Sequence, residues 1–126
     1  MSGAEPSREF SVEEANQLLP DLTAALHRIR VARQVVLAGA ERVRRVAPRN
    51  GGGARGKEYW EALQVLRQEV LSITTRGIIL RDPESGLVDF PTTRQGQPAF
   101  LCWQVGEDRV GFWHGPQGGF GGRRPL

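Results

Sequence analysis

The feature that most constrains the fold is a heptad repeat in the first half of the chain. Small and apolar residues recur every seven positions in two rows: Ala15, Leu22, Ile29, Val36 and Val43 in one, and Leu18, Ala25, Ala32, Gly39 and Val46 in the other. This spacing places both rows on one face of a helix. The small residues of the second row would let a facing helix approach closely. The repeat therefore predicts a long helix from Val12 to Val46.

The start of this helix carries a capping signal. Ser11 followed three residues later by Glu14 forms a capping box, in which each side chain bonds the backbone N–H of the other residue. Pro20 interrupts the helix and removes one hydrogen bond, so we expect a kink or a break there. The heptad phase continues across Pro20, which favours the kink.

A second helix is predicted from Lys57 to Arg76, after a Gly-rich linker at residues 47–56. The short linker predicts an antiparallel helical hairpin. The first helix would be about 50 Å long at 1.5 Å per residue, against a radius of gyration of about 14 Å for a globule of this length. Val31, Val35 and Leu37 lie off its main seam. We therefore expect a homodimer that pairs through the helices.

After Gly77 the apolar pattern changes from a helical to a strand period. Four short strands separated by turns are predicted, at residues 78–80, 87–90, 99–105 and 109–114. The expected fold is one α+β domain over residues 1–126, with a flexible tail at 1–9, the hairpin at 10–77, and a four-stranded antiparallel meander at 78–126 that ends in an irregular Gly-rich tail.

The last two predicted strands contain candidate catalytic residues. If Glu107 and Asp108 form the turn, Leu101 lies opposite His114 on the core face and Cys102 lies opposite Trp113 on the other. His114 would then end the core face beside Asp89 of the neighbouring strand. A carboxylate–imidazole pair can serve a general base or a metal ligand, which makes both residues candidate catalytic groups. The commoner alternative is a packed or capping histidine.

The same alternation separates Cys102 from His114, so Cys102 is interpreted as a small buried hydrophobe. The histidines, the cysteine and the carboxylates show no recognised metal-ligand spacing. We therefore predict no metal site and no cofactor.

The Gly-rich C-terminal segment supplies basic residues for an anionic ligand. Arg123 and Arg124, with Arg94 from the preceding loop, could bind a phosphate or a carboxylate. The alternative is a segment that only covers the sheet, with Phe120 filling a gap.

Several motifs resemble those of a prokaryotic family described as domain of unknown function 2203. They are residues 10–16 (FSVEEAN), 18–20 (LLP), 86–91 (GLVDFP), 101–103 (LCW), 106–107 (GE), 113–114 (WH), 119–120 (GF) and 122–123 (GR). The resemblance covers Phe10 to Leu126 and implies a small bacterial cytosolic protein, without an activity. It marks as motif positions Asp89, Glu107, Trp113, His114, Gly119 and Arg123.

Composition limits the classes of function. The net charge of +3 is only mildly basic, and the arginines of the first helix spread over several faces, so a nucleic-acid binder is the least favoured class. No run of about 18 apolar residues predicts a membrane span, and a single cysteine fits a reducing cytoplasm. We expect a homodimeric binding protein with an anionic-ligand site formed by Arg94, Glu107, Trp113 and Arg123. The alternative is a small enzyme that uses Asp89 and His114 on an anionic substrate.

Overall fold

The first helix begins at the predicted capping box. In the computed structural model, which describes residues 8–50 and 56–126, helix α1 spans Val12–Asn50. The Ser11 hydroxyl accepts a hydrogen bond from the Glu14 amide at 3.0 Å, and the Glu14 carboxylate accepts one from the Ser11 amide at 2.8 Å. The helix continues through Pro20 without a break and extends four residues past the predicted end. Residues 1–7 of the predicted tail and 51–55 of the predicted linker lie outside the described residues.

The second helix, α2, spans Lys57–Thr74 and packs against α1 as the predicted hairpin. The small residues of the second heptad row lie at this interface: Ala25 and Ala32 are buried, and Gly39 leaves room for the Tyr59 ring, which a β-carbon at position 39 would overlap. The small residues of the second heptad row therefore bring the two helices close together, as predicted.

The chain then forms one antiparallel sheet of five strands in chain order. The strands are β1 (Ile79–Asp82), β2 (Leu87–Arg94), β3 (Gln97–Gln104), β4 (Phe112–His114) and β5 (Arg124–Pro125). The prediction of an α+β domain is confirmed, but the count of four strands is wrong. The Gly-rich segment is not irregular to its end, because it makes a short 3₁₀ turn at Phe120–Gly122 and then returns as β5 to pair with β4.

The register of β3 against β4 also differs from the prediction. His114 pairs with Phe100 rather than Leu101, and Cys102 pairs with Phe112 rather than Trp113. The physical cause is the connection, which occupies residues 105–111 instead of a two-residue turn. It folds inward because Val110 is buried and its amide donates to the Asn16 side chain on α1 at 2.7 Å. A shift of one residue exchanges the two faces of a strand.

The two faces of the sheet have different roles. The face towards the helices carries the core residues Val88, Phe90, Leu101 and Trp103. Phe10 joins this core edge-on to Phe90, and its amide donates to the Pro91 carbonyl at 2.9 Å. The opposite face, which we call the outer face, is the side covered by residues 116–120. The functional candidates are found there.

Over residues 8–50 and 56–126, neither helix combines the length and the apolar character needed to cross a bilayer.

Candidate functional site

Three ionisable side chains from three adjacent strands meet on the outer face. Asp89 on β2 pairs with Cys102 on β3, and His114 on β4 lies beside Phe100, two residues from Cys102. Side chains paired across strands, or two apart along one strand, share a face. All three are at least 98% buried, and one potential ligand atom from each lies within 4.8 Å of the others. The predicted proximity of Asp89 and His114 is found, but Cys102 joins them, contrary to the prediction.

Both ring nitrogens of His114 have acceptors inside the chain. Nε2 lies 2.9 Å from Asp89 Oδ2, and Nδ1 lies 2.7 Å from the Gly115 carbonyl oxygen. A carbonyl oxygen can only accept, so Nδ1 carries a hydrogen and donates it. Nε2 then faces the Asp89 carboxylate, which accepts from it when this nitrogen also carries a hydrogen. The ring is therefore fixed in orientation, and neither nitrogen is directed at a substrate in this conformation.

The two oxygens of Asp89 have unequal surroundings. Oδ2 also accepts a hydrogen bond from Arg81 Nε at 2.8 Å. Oδ1 is buried and accepts no hydrogen bond from any residue in the described part of the chain. A buried carboxylate oxygen without a donor destabilises the fold. An atom left in this state is typical of a site that is completed by something other than the polypeptide.

The Cys102 thiol is held in its neutral form. Burial and the nearby Asp89 charge raise its pKa to about 11, a shift that Arg123 only partly opposes. A nucleophilic cysteine needs a lowered pKa. The thiol therefore does not act as a free nucleophile near pH 7.

A cavity of about 350 Å³ opens beside these three side chains. Its walls are Arg81 and Leu87 from the sheet and residues 116–120 from the Gly-rich segment. Gly118 permits this close cover, since a β-carbon there would lie only 3.1 Å from the His114 β-carbon. The Gly118 amide also donates to the Gly115 carbonyl, the same oxygen that accepts from His114.

The other predicted site residues lie outside this cavity. Arg123 forms a two-point ion pair with Glu107, with contacts of 2.6 and 3.2 Å, and its guanidinium stacks on Phe112 and Phe120. Burial opposes ionisation of Glu107, but the hydrogen bonds from Arg123 and the Gln104 amide outweigh it and lower the Glu107 pKa. The Glu107 hydrogen bond raises the pKa of Arg123.

Trp113 and Arg94 are separated from the cavity by the sheet. Trp113 pairs with Leu101 and so points to the helix-facing side, where the Arg94 guanidinium lies 4.6 Å from the centre of its ring. The four residues predicted to bind an anion thus form two separate pairs, and neither pair lines the cavity.

Sequence reasoning missed Arg81, Cys102 and Gln117 as residues of the site. Alternation along β1 did not mark Arg81, because this residue lies past the predicted strand end and within an irregularity of the β1–β2 register between Leu80 and Asp82. The proximity of Cys102 to His114 depends on the length of the β3–β4 connection, which the sequence did not reveal. No pattern marked Gln117.

Comparison with known proteins places the chain in a family without supplying an activity. Residues 8–126 match the family described as uncharacterized conserved protein (DUF2203). Searches of curated proteins and of solved structures gave no match.

Proposed function

Because this chain belongs to the DUF2203 family, whose description assigns no activity, we propose its function from geometry: it is a homodimeric binding protein that holds a small anionic ligand in the outer-face cavity. The observation that carries this proposal is a buried Asp89–His114 pair at the floor of a cavity with Arg81 in its wall. Its single cysteine is a free thiol, which fits a bacterial cytoplasm.

Arg81 is the cation that supports an anionic ligand. Its Nε bonds Asp89, while its side chain remains 44% exposed at the cavity wall. No hydrogen bond within residues 8–50 and 56–126 uses its two Nη atoms. A guanidinium presents several donors in a planar fork that matches carboxylate and phosphate oxygens. Because Arg81 lines the cavity and Arg94 and Arg123 do not, we move the anionic site from those two residues to Arg81.

An enzyme that uses Asp89 and His114 as a general-base pair is the second candidate. The pair has the required residue types and a 2.9 Å contact. A general base needs one nitrogen within reach of a substrate proton, whereas both nitrogens of His114 are directed at chain atoms. The geometry supports binding better than proton transfer.

Nucleic-acid binding receives less support. Three of the arginines on α1 are paired with glutamates: Arg28 with Glu69, and Arg30 and Arg33 with Glu84. These pairs reduce the positive charge that would be available for a phosphate backbone.

The helical hairpin supports self-association. A groove of about 400 Å³ between α1 and α2 has five apolar lining residues, Val31, Ala32, Val35, Ala62 and Val65, beside four polar or charged ones. None of these side chains belongs to the cluster that packs under the sheet, and Val31 and Val65 are 47% and 37% exposed. A contiguous apolar face along a helix pair is typical of an interface. A second copy offers the same long apolar helix in return.

Replacing Arg81 with Gln is expected to weaken the binding of inorganic phosphate by tenfold or more. One hydrogen bond to a charged group contributes about 1.5–3 kcal/mol, and 1.4 kcal/mol corresponds to tenfold in affinity. Binding is measured by calorimetry in a chelating buffer and by amide shifts of Gly118 and Gly119. Arg94→Gln, which removes a cation from the other side of the sheet, should leave the affinity unchanged. Absence of binding for phosphate and for citrate would contradict the anionic-ligand proposal.

Replacing Val31 with Glu is expected to convert a dimer into a monomer, because the charge would be buried between two chains. Sedimentation equilibrium at micromolar concentration should show the mass fall from two 13.9 kDa chains to one. Val12→Glu is the matched control, since Val12 is also exposed but lies at the start of α1, outside the groove. A monomeric parent protein, or equal dissociation of both variants, would rule out this interface.

A further inference from the structure

We propose that Asp89, Cys102 and His114 form a binding site for one divalent transition-metal ion of the zinc class, with its open coordination position facing the outer-face cavity. This inference concerns the floor of the cavity and goes beyond the anionic ligand. It does not require that ligand to bind.

The three ligand atoms are already gathered at nearly the spacing that an ion needs. Zinc lies about 2.0–2.3 Å from nitrogen, oxygen and sulfur ligands, so the ligands of a tetrahedral ion are roughly 3.3–3.8 Å apart. The three atoms lie within 4.8 Å of one another. The three side chains come from adjacent strands of one sheet, and small rotations of them would bring the ligand atoms from separations of up to 4.8 Å to the spacing that a tetrahedral ion needs.

The orientation of His114 is the one that a metal ligand requires. Its Nδ1 donates to the Gly115 carbonyl at 2.7 Å, which leaves Nε2 to face Asp89 and the cluster. A ligating histidine almost always donates its other N–H to a carbonyl or a carboxylate, which fixes the ring. The same arrangement that disfavours a general base thus favours a metal ligand, with the ion lying between Nε2 and Asp89.

The unsatisfied oxygen of Asp89 is a second, independent observation. Asp89 is 2% exposed, and its Oδ1 accepts no hydrogen bond in the described part of the chain. Arg81 holds the other oxygen from the cavity wall. A cation at the cluster would give the carboxylate the partner that the polypeptide lacks.

The donor set selects the class of ion. One imidazole, one thiolate and one carboxylate match zinc or cobalt, whereas calcium and magnesium are bound by oxygen. Binding would displace the thiol proton to solvent, and the ion would then neutralise the carboxylate and the thiolate and leave the charge of Arg81 beside the site. Three protein ligands with a fourth position open to a cavity is the pattern of sites that bind a further small ligand at the metal.

The test is a titration of the chelator-treated full chain with Co²⁺ alone. We expect one ion per chain and a sulfur-to-cobalt charge-transfer absorption in the near ultraviolet, which Zn²⁺ then displaces. Cys102→Ser keeps the shape of the side chain but removes the sulfur, so that absorption should disappear. Metal binding should weaken by more than about 100-fold, which is the cost of losing a residue that only orients a metal ligand. His27→Ala, which changes the exposed histidine on α1, should bind as the parent does.

Three results would overturn the site: no stoichiometric binding by the folded parent protein, a charge-transfer band that survives in Cys102→Ser, or a loss of binding in His27→Ala. Circular dichroism of each variant checks that the fold is kept. The phosphate titration in chelator is the separate test of the anionic ligand, so failure of the metal site and failure of the anion site give different results.

Discussion

Replacing Asp89 with Ala is expected to lower the free energy of unfolding by about 3–5 kcal/mol, the loss typical of removing one partner of a buried charged pair. The variant would leave His114, whose side chain is 3% exposed, without the carboxylate 2.9 Å away. Domains of this size are stable by only about 5–15 kcal/mol, so the loss is large. Urea unfolding followed by the fluorescence of buried Trp103 measures it.

The control for this experiment is Asp108→Ala. Asp108 is exposed in the β3–β4 connection, and surface substitutions usually change stability by about 0.5 kcal/mol or less. A loss below 1 kcal/mol for Asp89→Ala, similar to that of the control, would show that the buried pair does not hold the sheet and its covering segment together.

A double variant separates stability from binding at the same position. Replacing buried ion pairs by apolar residues of similar volume is often neutral or stabilising. Asp89→Leu with His114→Leu should therefore recover most of the stability lost by Asp89→Ala, while Co²⁺ binding is abolished. If the double variant is as stable as the parent, the pair is present for function. If it unfolds like the single variant, the pair is a structural requirement of this sheet.

The helices could be predicted because their signals are local. The capping box at Ser11 and Glu14 and the heptad spacing depend on residues three to seven apart, and the structure reproduces both. Gly39 and Tyr59 show the limit of this reasoning. The sequence predicted a close helix approach, but the particular ring that fills the space depends on the α1–α2 register.

The site could be predicted only in part because strand register depends on distant contacts. Asp89 and His114 were predicted to lie close together, as found, but at the end of the core face rather than on the outer face. The side to which His114 points depends on the connection at residues 105–111, in which Val110 is buried and bonded to α1. A shift of one residue moved His114 from the predicted core face to the outer face, where Cys102 also lies. The prediction that no metal site exists rested on sequence spacing, which cannot show that three strands bring Asp89, Cys102 and His114 together.

The same contacts explain why the motif residues of the C-terminal third fall into separate groups. Asp89 and His114 form the floor of the cavity. Glu107 and Arg123 join the β3–β4 connection to the Gly-rich segment, which covers the cavity. Trp113 packs on the helix-facing side with Arg94. We therefore interpret the Glu107–Arg123 pair as the contact that holds the cover in place, rather than as a ligand contact.

Replacing Arg123 with Ala is accordingly expected to expose Cys102 to reagents in solution. The substitution removes two charged hydrogen bonds, each worth about 1.5–3 kcal/mol when buried, but the side chains are 15% and 25% exposed and solvent screening reduces the total. A net loss of about 2 kcal/mol in local stability would raise the population with an open cover about 30-fold. The rate at which Cys102, 1% exposed in the closed structure, reacts with a thiol reagent should rise by the same factor.

Arg124→Ala is the matched control, because it removes the neighbouring arginine, whose guanidinium lies 5.9 Å from the Trp113 ring centre on the other side of the sheet. Its thiol reaction rate should equal that of the parent. Urea unfolding of both variants separates opening of the cover from loss of the whole fold. An unchanged reaction rate in Arg123→Ala would mean that the β5 pairing and the Gly118–His114 contact hold the segment without the ion pair. A rate that rises only in proportion to global unfolding would show that the cover and the sheet open as one unit.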